Sequence, residues 1–323
     1  MLQNKKNITK KSIILFIVVV IIGLFVMLYP IISSKINYKK SLEKINIYSS
    51  SVSKNPLEIN NKILEQATKY NEKITGTAIE DSFKEEKEVS GEYLGLLNVN
   101  SDGIMGYIKI PKIDVEIPIY HGTDTKTLQK GVGHFEGSSL PVGGKNTHSI
   151  LSGHRGLPSS KVFADLDKLE ENDLFYIYVL NKKLAYKVDQ VKIVKPSDTK
   201  DLTIVDGEDY VTLVTCTPYA INTHRLLVRG KRVKYDEDIL NNIEVSKKIS
   251  VSDIIFFSGL VVAIIIIIFT IKKITEINSR EEIKNNIEVL DNEILENENI
   301  NEKSYSNETS NDIEVLEDDE EII

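Results

Sequence analysis

The rhythm of apolar and polar positions changes along the chain, and each change predicts a different element. Residues 13–32 and 254–271 contain no charged side chain over 20 and 18 positions, close to the roughly 20 residues a helix needs to cross hydrocarbon. Both runs are predicted transmembrane helices. The first is longer than the roughly 7–15 apolar residues of a signal-peptide core, and no small-x-small cleavage site follows Tyr29-Pro30, so it is expected to stay on the chain as an anchor. Residues 35–75 then place apolar side chains at helical spacing, as at Ile59, Ile63, Ala67 and Tyr70, with interruptions at Ser49-Ser50-Ser51 and Asn55-Pro56. Two helices separated by a break are predicted. Residues 76–92 are polar and charged, with Gly76 and Gly91 near the ends and Phe83 as an isolated aromatic, which is the composition of a loop.

After Gly103 the period shortens to two. Ile113, Val115, Ile117 and Ile119 alternate with Asp114, Glu116, Pro118 and Tyr120, predicting a half-buried strand. Further strands are predicted over 174–180, 183–195, 210–216 and 225–234. Within 183–195, Leu184, Tyr186 and Val188 share one parity while Val191, Ile193 and Lys195 share the other, so a bulge is expected near Asp189-Gln190. Several short strands bounded by Gly, Pro, Asn and Asp predict a mainly β domain, a mainly antiparallel barrel or sandwich.

Length and charge narrow the organisation. A chain of 323 residues has room for two domains of roughly 100–200 residues, but the two apolar runs leave one principal folded domain between them. Two crossings put both termini on one side of the membrane and the middle on the other. Lys5, Lys6, Lys10 and Lys11 precede the first span, and Lys35, Lys39, Lys40 and Lys44 follow it, so charge bias does not orient that span. Lys272, Lys273, Arg280 and Lys284 follow the second and favour a cytoplasmic C-terminus, with the middle domain outside the cell. The segment 33–271 balances 31 basic against 31 acidic residues and has no basic face of the kind nucleic acid requires. From residue 274 onward 17 acidic residues meet 3 basic ones, and Ile287-Glu-Val-Leu-Asp recurs as Ile313-Glu-Val-Leu-Glu; a solvated, disordered cytoplasmic tail is expected.

The lone Cys216 excludes an intrachain disulfide and is either a small buried hydrophobe or a functional thiol. Its surroundings favour chemistry. A β-rich run ends at Cys216, an eight-residue turn-prone segment follows, and a second β-rich run opens with Arg225. If those strands pair as neighbours, Cys216 and Arg225 face each other at one sheet edge. A guanidinium beside a thiol can stabilise a thiolate, or hydrogen-bond an oxyanion forming on a carbonyl that the sulfur attacks. A Cys attacking an acyl group also needs a group that protonates the leaving amine, a role suited to His at neutral pH. Of His121, His134, His148, His154 and His224, the favoured one is His154. It ends the run Thr147-His-Ser-Ile-Leu-Ser-Gly-His154 between Gly153 and Arg155-Gly156, where the backbone can turn and leave the ring accessible. His148 falls mid-strand and reads as structural, and His224 lies in the loop it could order. The five His show no zinc-type ligand spacing.

At these residues the chain resembles a known family. Thr212-Leu-Val-Thr-Cys216 followed by Arg225-Leu-Leu-Val-Arg is similar to the active-site signature of sortases. Thr-Cys-Thr-Pro-Tyr with Asn222-Thr-His-Arg-Leu-Leu-Val-Arg-Gly230 resembles class C, the pilus-assembling sortases of Gram-positive bacteria. Supporting stretches are Met105-Gly-Tyr-Ile-Lys-Ile-Pro-Lys-Ile113, Ile119-Tyr-His-Gly-Thr123, Gly131-Val-Gly-His134, Ser139-Leu-Pro-Val-Gly-Gly144 and Ser152-Gly-His-Arg-Gly156. The similarity runs over about residues 93–235 and excludes the acidic tail.

The resemblance implies a closed eight-stranded sortase-type β-barrel with N-terminal helices, flanked by two transmembrane helices. It implies a membrane-bound cysteine transpeptidase with Cys216 as nucleophile, His154 as general acid/base and Arg225 as the substrate-orienting or oxyanion-stabilising cation. Such enzymes cleave a Leu-Pro-x-Thr-Gly-type signal after Thr, hold a thioacyl enzyme and pass the chain to an amine. In class C that amine is a Lys side chain of the next pilin subunit; no metal or cofactor is required. The family's lid carries Asp-Pro-Phe or Asp-Pro-Trp, where this chain reads Asp81-Ser-Phe83, and without the Pro that restricts φ a more mobile lid is expected. The expected layout is a cytoplasmic N-terminus 1–12, a span 13–32, a helical segment 33–75, a lid loop 76–92, a catalytic barrel 93–236, a linker 237–253, a span 254–271 and the cytoplasmic tail 272–323. Two other functions fit the same residues: a sortase attaching surface proteins to the cell wall, and an inert membrane-tethered interaction module on the same barrel.

Overall fold

Proline placement shapes the entry to the barrel. The computed structural model describes residues 2–74, 81, 83, 89–156, 162–240 and 251–314, and the chain divides into two units, 1–246 and 247–323. In the first unit helix α1 (Leu2–Lys54) runs through Pro30 and ends just before Asn55-Pro56. Helix α2 (Leu57–Lys73) starts directly after Pro56, a position Pro tolerates because its missing N–H would be unpaired in a first turn anyway. The expected interruption at Ser49-Ser50-Ser51 is absent, and the helix continues through it. The reason is tertiary: Tyr48 and Val52 on either side of the serines are buried against Ile104 and Tyr120. The Tyr48 hydroxyl donates to the Met105 carbonyl at 2.9 Å and accepts from the Leu180 N–H at 2.9 Å. Packing of this kind outweighs the weak helix propensity of Ser.

On α2 the predicted face holds at Ala67, which is fully buried, and at Ile63 and Tyr70, which pack on the core, but Ile59 is exposed. Asn60 and Asn71 take buried places instead. Asn71 exchanges two hydrogen bonds with the Leu140 backbone, at 3.1 and 2.7 Å, and so ties the helix to the barrel in a way apolar periodicity does not reveal. The predicted loop 76–92 ends earlier than expected, because Ser90 caps a short helix α3 (Gly91–Gly95).

Eight strands follow: β1 (Ile104–Ile110), β2 (Val115–His121), β3 (Val132–His134), β4 (Thr147–Ser152), β5 (Leu174–Val179), β6 (Lys182–Val194), β7 (Asp209–Thr217) and β8 (His224–Val233). A short helix α4 (Thr125–Lys130) connects β2 to β3. The strands close into a barrel in the order β1-β2-β3-β4-β7-β8-β6-β5, deciding between barrel and sandwich. Two neighbours are parallel, β2 with β3 and β4 with β7, and the other six strand pairs are antiparallel, so the barrel is mainly antiparallel as expected. The strand predicted to start at Ile113 starts at Val115. Pro111–Ile113 forms a 3-10 turn and Asp114 adopts φ 56°, since Pro111 fixes its own φ and has no N–H for a ladder. The bulge expected near Asp189 is present, as a register shift between Val188 and Gln190 where β6 pairs with β8. Leu240, at the start of the expected linker, is buried against Tyr176 and Ala185.

The second unit contains helix α5 (Val251–Glu314), so the tail expected to be disordered is helical through Glu314. Its sequence explains this: no Gly or Pro follows Gly259, and Arg280 pairs with Glu276 one turn away. On this helix Ile283, Ile287 and Leu290 are exposed. Among the described residues one stretch, Val18–Lys54 of α1, is long and apolar enough to cross a membrane. The second predicted span lies within α5, where several side chains fall outside the described residues. Of the two predicted spans, the first is therefore seen among the described residues and the second is not tested by them.

Candidate active site

The site is built at the end of β7 by its two neighbours. On one side β8 runs antiparallel, and its register sets Cys216 directly opposite Arg225 and Thr217 opposite His224. On the other side β4 runs parallel, from Thr147 opposite Asp209 to Ser152 opposite Val214. That pairing is prolonged past the strand: the Gly153 N–H donates to the Val214 carbonyl at 3.0 Å, and the Thr215 hydroxyl donates to the Gly153 carbonyl at 2.7 Å. His154 is the next residue. A Cβ on Gly153 would lie 2.6 Å from the Phe163 ring. Only Gly lets Phe163 close under this turn and donate its N–H to the His154 carbonyl at 3.1 Å.

Arg225 is buried, and Asp81 holds it in two parallel hydrogen bonds, Nε to Oδ1 at 2.9 Å and Nη2 to Oδ2 at 2.7 Å, the geometry in which a guanidinium and a carboxylate bind best. The third guanidinium nitrogen, Nη1, donates to the carbonyls of Asn222 and His224. The Asp81 side chain is only 4% exposed. Two residues on, the Phe83 ring lies 5.0 Å from the Arg225 guanidinium and 6.2 Å from the His154 ring. It packs on an apolar floor that includes Ile150, Val214, Leu202 and Leu227. The structure thus brings together all five residues singled out in the sequence: Cys216, His154, Arg225, Asp81 and Phe83. Ser82, between the last two, lies outside the described residues.

Electrostatics at the site depend on that cover. Burial pushes the Cys216 thiol up, Arg225 pulls it down and Asp81 raises it again. Burial lowers His154. Both shifts favour a neutral thiol beside a neutral imidazole, so the covered site is not charged for attack. Removing the Asp81 carboxylate would leave Arg225 as the charge acting on the sulfur, and would free its donors for an oxyanion.

Of the other histidines, His121, His134 and His148 lie away from the site, and His224 borders it at the start of β8. His148 bonds the Thr203 carbonyl at 2.8 Å and the Thr212 hydroxyl at 2.7 Å, the structural role expected of it. His134 meets the Tyr93 hydroxyl and the Ser139 carbonyl, and His121 meets the carbonyls of Gly103 and Leu96. His224 bonds the Thr223 hydroxyl at 3.0 Å. Among the described residues no group of three or more His, Cys, Asp or Glu is placed to hold a metal ion. Sequence reasoning did not assign Thr215 or Arg155, which both bond across the β4–β7 junction. Their partners come from a parallel pairing that no short turn announces.

Comparison with known proteins places this constellation. The Sortase domain family matches residues 108–233. The structure of sortase C from Streptococcus pneumoniae is 47% identical with a TM-score of 0.58, over 60% of this chain and 97% of that one. Sortase C1 from Streptococcus agalactiae is 49% identical with a TM-score of 0.55, over 60% of this chain and all of that one. Sortase D of Bacillus subtilis is 35% identical over 131 residues, a match spanning 40% of this chain and 63% of the relative. The chain belongs to the sortase family of cysteine transpeptidases, and its structural neighbours are class C sortases.

Proposed function

We propose that this chain is a membrane-anchored transpeptidase that cleaves Leu-Pro-x-Thr-Gly-type sorting signals after Thr and joins pilin subunits through a Lys side-chain amine. In this reading Cys216 Sγ attacks the Thr carbonyl carbon as its proton passes to His154. Arg225 donates to the oxygen that becomes anionic. Collapse breaks the Thr–Gly bond, His154 returns the proton to the departing Gly amine, and a thioacyl enzyme is left. A Lys amine then attacks the thioester, His154 takes its proton, and the Cys216 thiolate leaves. Before any of this Arg225 must part from Asp81, and Phe83 must leave the apolar floor that the Leu-Pro part of the signal would occupy.

The observation that carries the reading is the register placing Arg225 opposite Cys216 while Asp81 grips that same guanidinium. An inert module would have no reason to keep Cys216, His154 and Arg225 together. The pneumococcal sortase C is described for catalysis and pilin substrate specificity, which supports a pilin acceptor over the cell wall. The apolar stretch of α1 supports an anchor. We extend it to a two-pass protein with spans 13–32 and 254–271, an extracellular barrel and both termini in the cytoplasm.

The test is intact mass of the full chain in detergent after incubation with a Leu-Pro-x-Thr-Gly peptide, with Asp81→Ala to release Arg225 and Cys216→Ala as control. An acyl adduct that requires Cys216 is expected, and a Lys-bearing pilin peptide should discharge it faster than a cell-wall amine does. A folded Asp81→Ala protein that forms no adduct with any signal variant would overturn the reading in favour of the inert module.

A further inference from the structure

The β4–β7 pairing keeps a constant offset of 62 residues, from the last backbone pairs to the side-chain bond of Thr215 to Gly153. Carried two residues further, the same offset sets His154 beside Cys216 and Arg155 beside Thr217. The structure contains that last rung: Arg155 Nη1 donates to the Thr217 hydroxyl at 2.7 Å, across 62 residues of chain. The backbone ladder has ended by then, so His154 and Cys216 are bracketed by two side-chain bonds, Thr215 to Gly153 before them and Arg155 to Thr217 after them. Each bracket bonds a residue adjacent to His154 to one adjacent to Cys216.

Arg155 is held from its other side as well. Its Nη2 lies 2.5 Å from Asp167 Oδ2, and its side chain is only 11% exposed. Asp167 sits in the 3-10 turn Leu166–Lys168, fixed to the core by fully buried Leu166. A buried guanidinium gripped at two of its nitrogens has few rotamers left, so it transmits the position of one partner to the other. We propose that Arg155 is a positioning residue: anchored on Asp167, it locks the His154 turn to the end of β7 and so sets the distance between the imidazole and the Cys216 thiol. Arg155 does not touch the acyl group. Its task differs from that of Arg225, on the β8 side of the sulfur. The proposal rests on the reading that His154 transfers protons to and from Cys216 chemistry, and the test separates the two.

Thr217→Val keeps the shape and the Arg155 charge but removes the acceptor, whereas Thr217→Ser keeps the hydroxyl. Cys216 is the only cysteine, so iodoacetamide labelling of the full chain in detergent reports on it alone. In an Asp81→Ala background Thr217→Val is expected to change the shape of the labelling-rate profile between about pH 5 and 10, where thiols and imidazoles titrate. It should lower kcat for acyl-enzyme formation on the order of tenfold, the scale of a sub-ångström misplacement, with KM nearly unchanged. Thr217→Ser should restore both, and Asp167→Asn should reproduce the loss. A Thr217→Val protein whose labelling profile and kcat both match the background would overturn the proposal. So would equal losses in the Ser and Val variants, which would mark the position as merely packed. If the background protein forms no acyl-enzyme, the function proposed above fails, while the labelling profile still decides the role of Arg155.

Discussion

At the scale of single residues the controlling contact is between Asp81 and Arg225. A buried ion pair that loses one member typically costs about 3–5 kcal/mol when the remaining charge stays buried. Arg225 lies at the end of a strand beneath Phe83, so once Asp81 is gone water can reach the guanidinium and most of that cost is avoided. Asp81→Asn should therefore leave the unfolding temperature of the barrel nearly unchanged while Cys216 becomes several-fold more reactive to iodoacetamide near neutral pH. The sign follows from the causes: Asp81 raises the thiol and Arg225 lowers it, so removing the carboxylate moves the labelling profile toward lower pH. Equal labelling of parent and variant across the profile would rule out control of the thiol by this pair. The facing of Cys216 and Arg225 was legible in the sequence because a short segment joins two β-rich runs, and antiparallel neighbours pair without further information. The grip of Asp81 on Arg225 spans 144 residues, and in the sequence only the family resemblance singled out Asp81, as part of a lid.

At the scale of elements, alternation located the long strands β5 to β8 and the bulge in β6, since both are local patterns of side-chain parity. It missed the end of the strand predicted at Ile113, where Pro111 overrides the alternation. It also said nothing of the parallel pairings, whose partners are far apart in sequence. The closing of the barrel between β1 and β5 is a further contact the sequence hides, and it depends on a glycine. A Cβ on Gly106 would lie 2.3 Å from the Tyr178 carbonyl oxygen and 3.3 Å from the Val179 Cα, backbone atoms that cannot rotate away. Next to it Tyr107 pairs with Tyr178, and their rings stack at 4.6 Å. Gly106→Ala is expected to destabilise the barrel by about 1–3 kcal/mol, the usual cost of overpacking, as read by urea unfolding of the full chain. In the closed order β7 stands three strands from β5 and four from β1, so Cys216 labelling under native conditions should be unaffected. An unchanged unfolding midpoint would show that the two strands separate at little cost.

At the scale of the whole molecule two buried histidines make stability depend on acidity. His134 is enclosed between the Tyr93 hydroxyl and the Ser139 carbonyl, and His148 between the Thr203 carbonyl and the Thr212 hydroxyl; burial lowers each from its ordinary 6.5 to about 4. Below about pH 6.5 the unfolded chain binds a proton at each ring while the folded barrel does not, so stability present above that pH is lost progressively as pH falls toward about 4. The loss is of order 3 kcal/mol for each ring, a large part of the roughly 5–15 kcal/mol that holds a typical domain. Asp209 works in the opposite sense, because burial raises its carboxyl and protonation in the fold then favours the native state. Burial also lowers His121 and His154, so the histidines together outweigh this carboxyl and leave a net loss. Urea unfolding of the full chain should show a midpoint that drops between about pH 7 and pH 4.5. His148→Asn should be less stable at pH 7 but flatter over the same range, since it removes one of the two rings that burial lowers to about 4. A midpoint independent of pH in the parent, or an unchanged slope in the variant, would move the origin of acid sensitivity away from the barrel core.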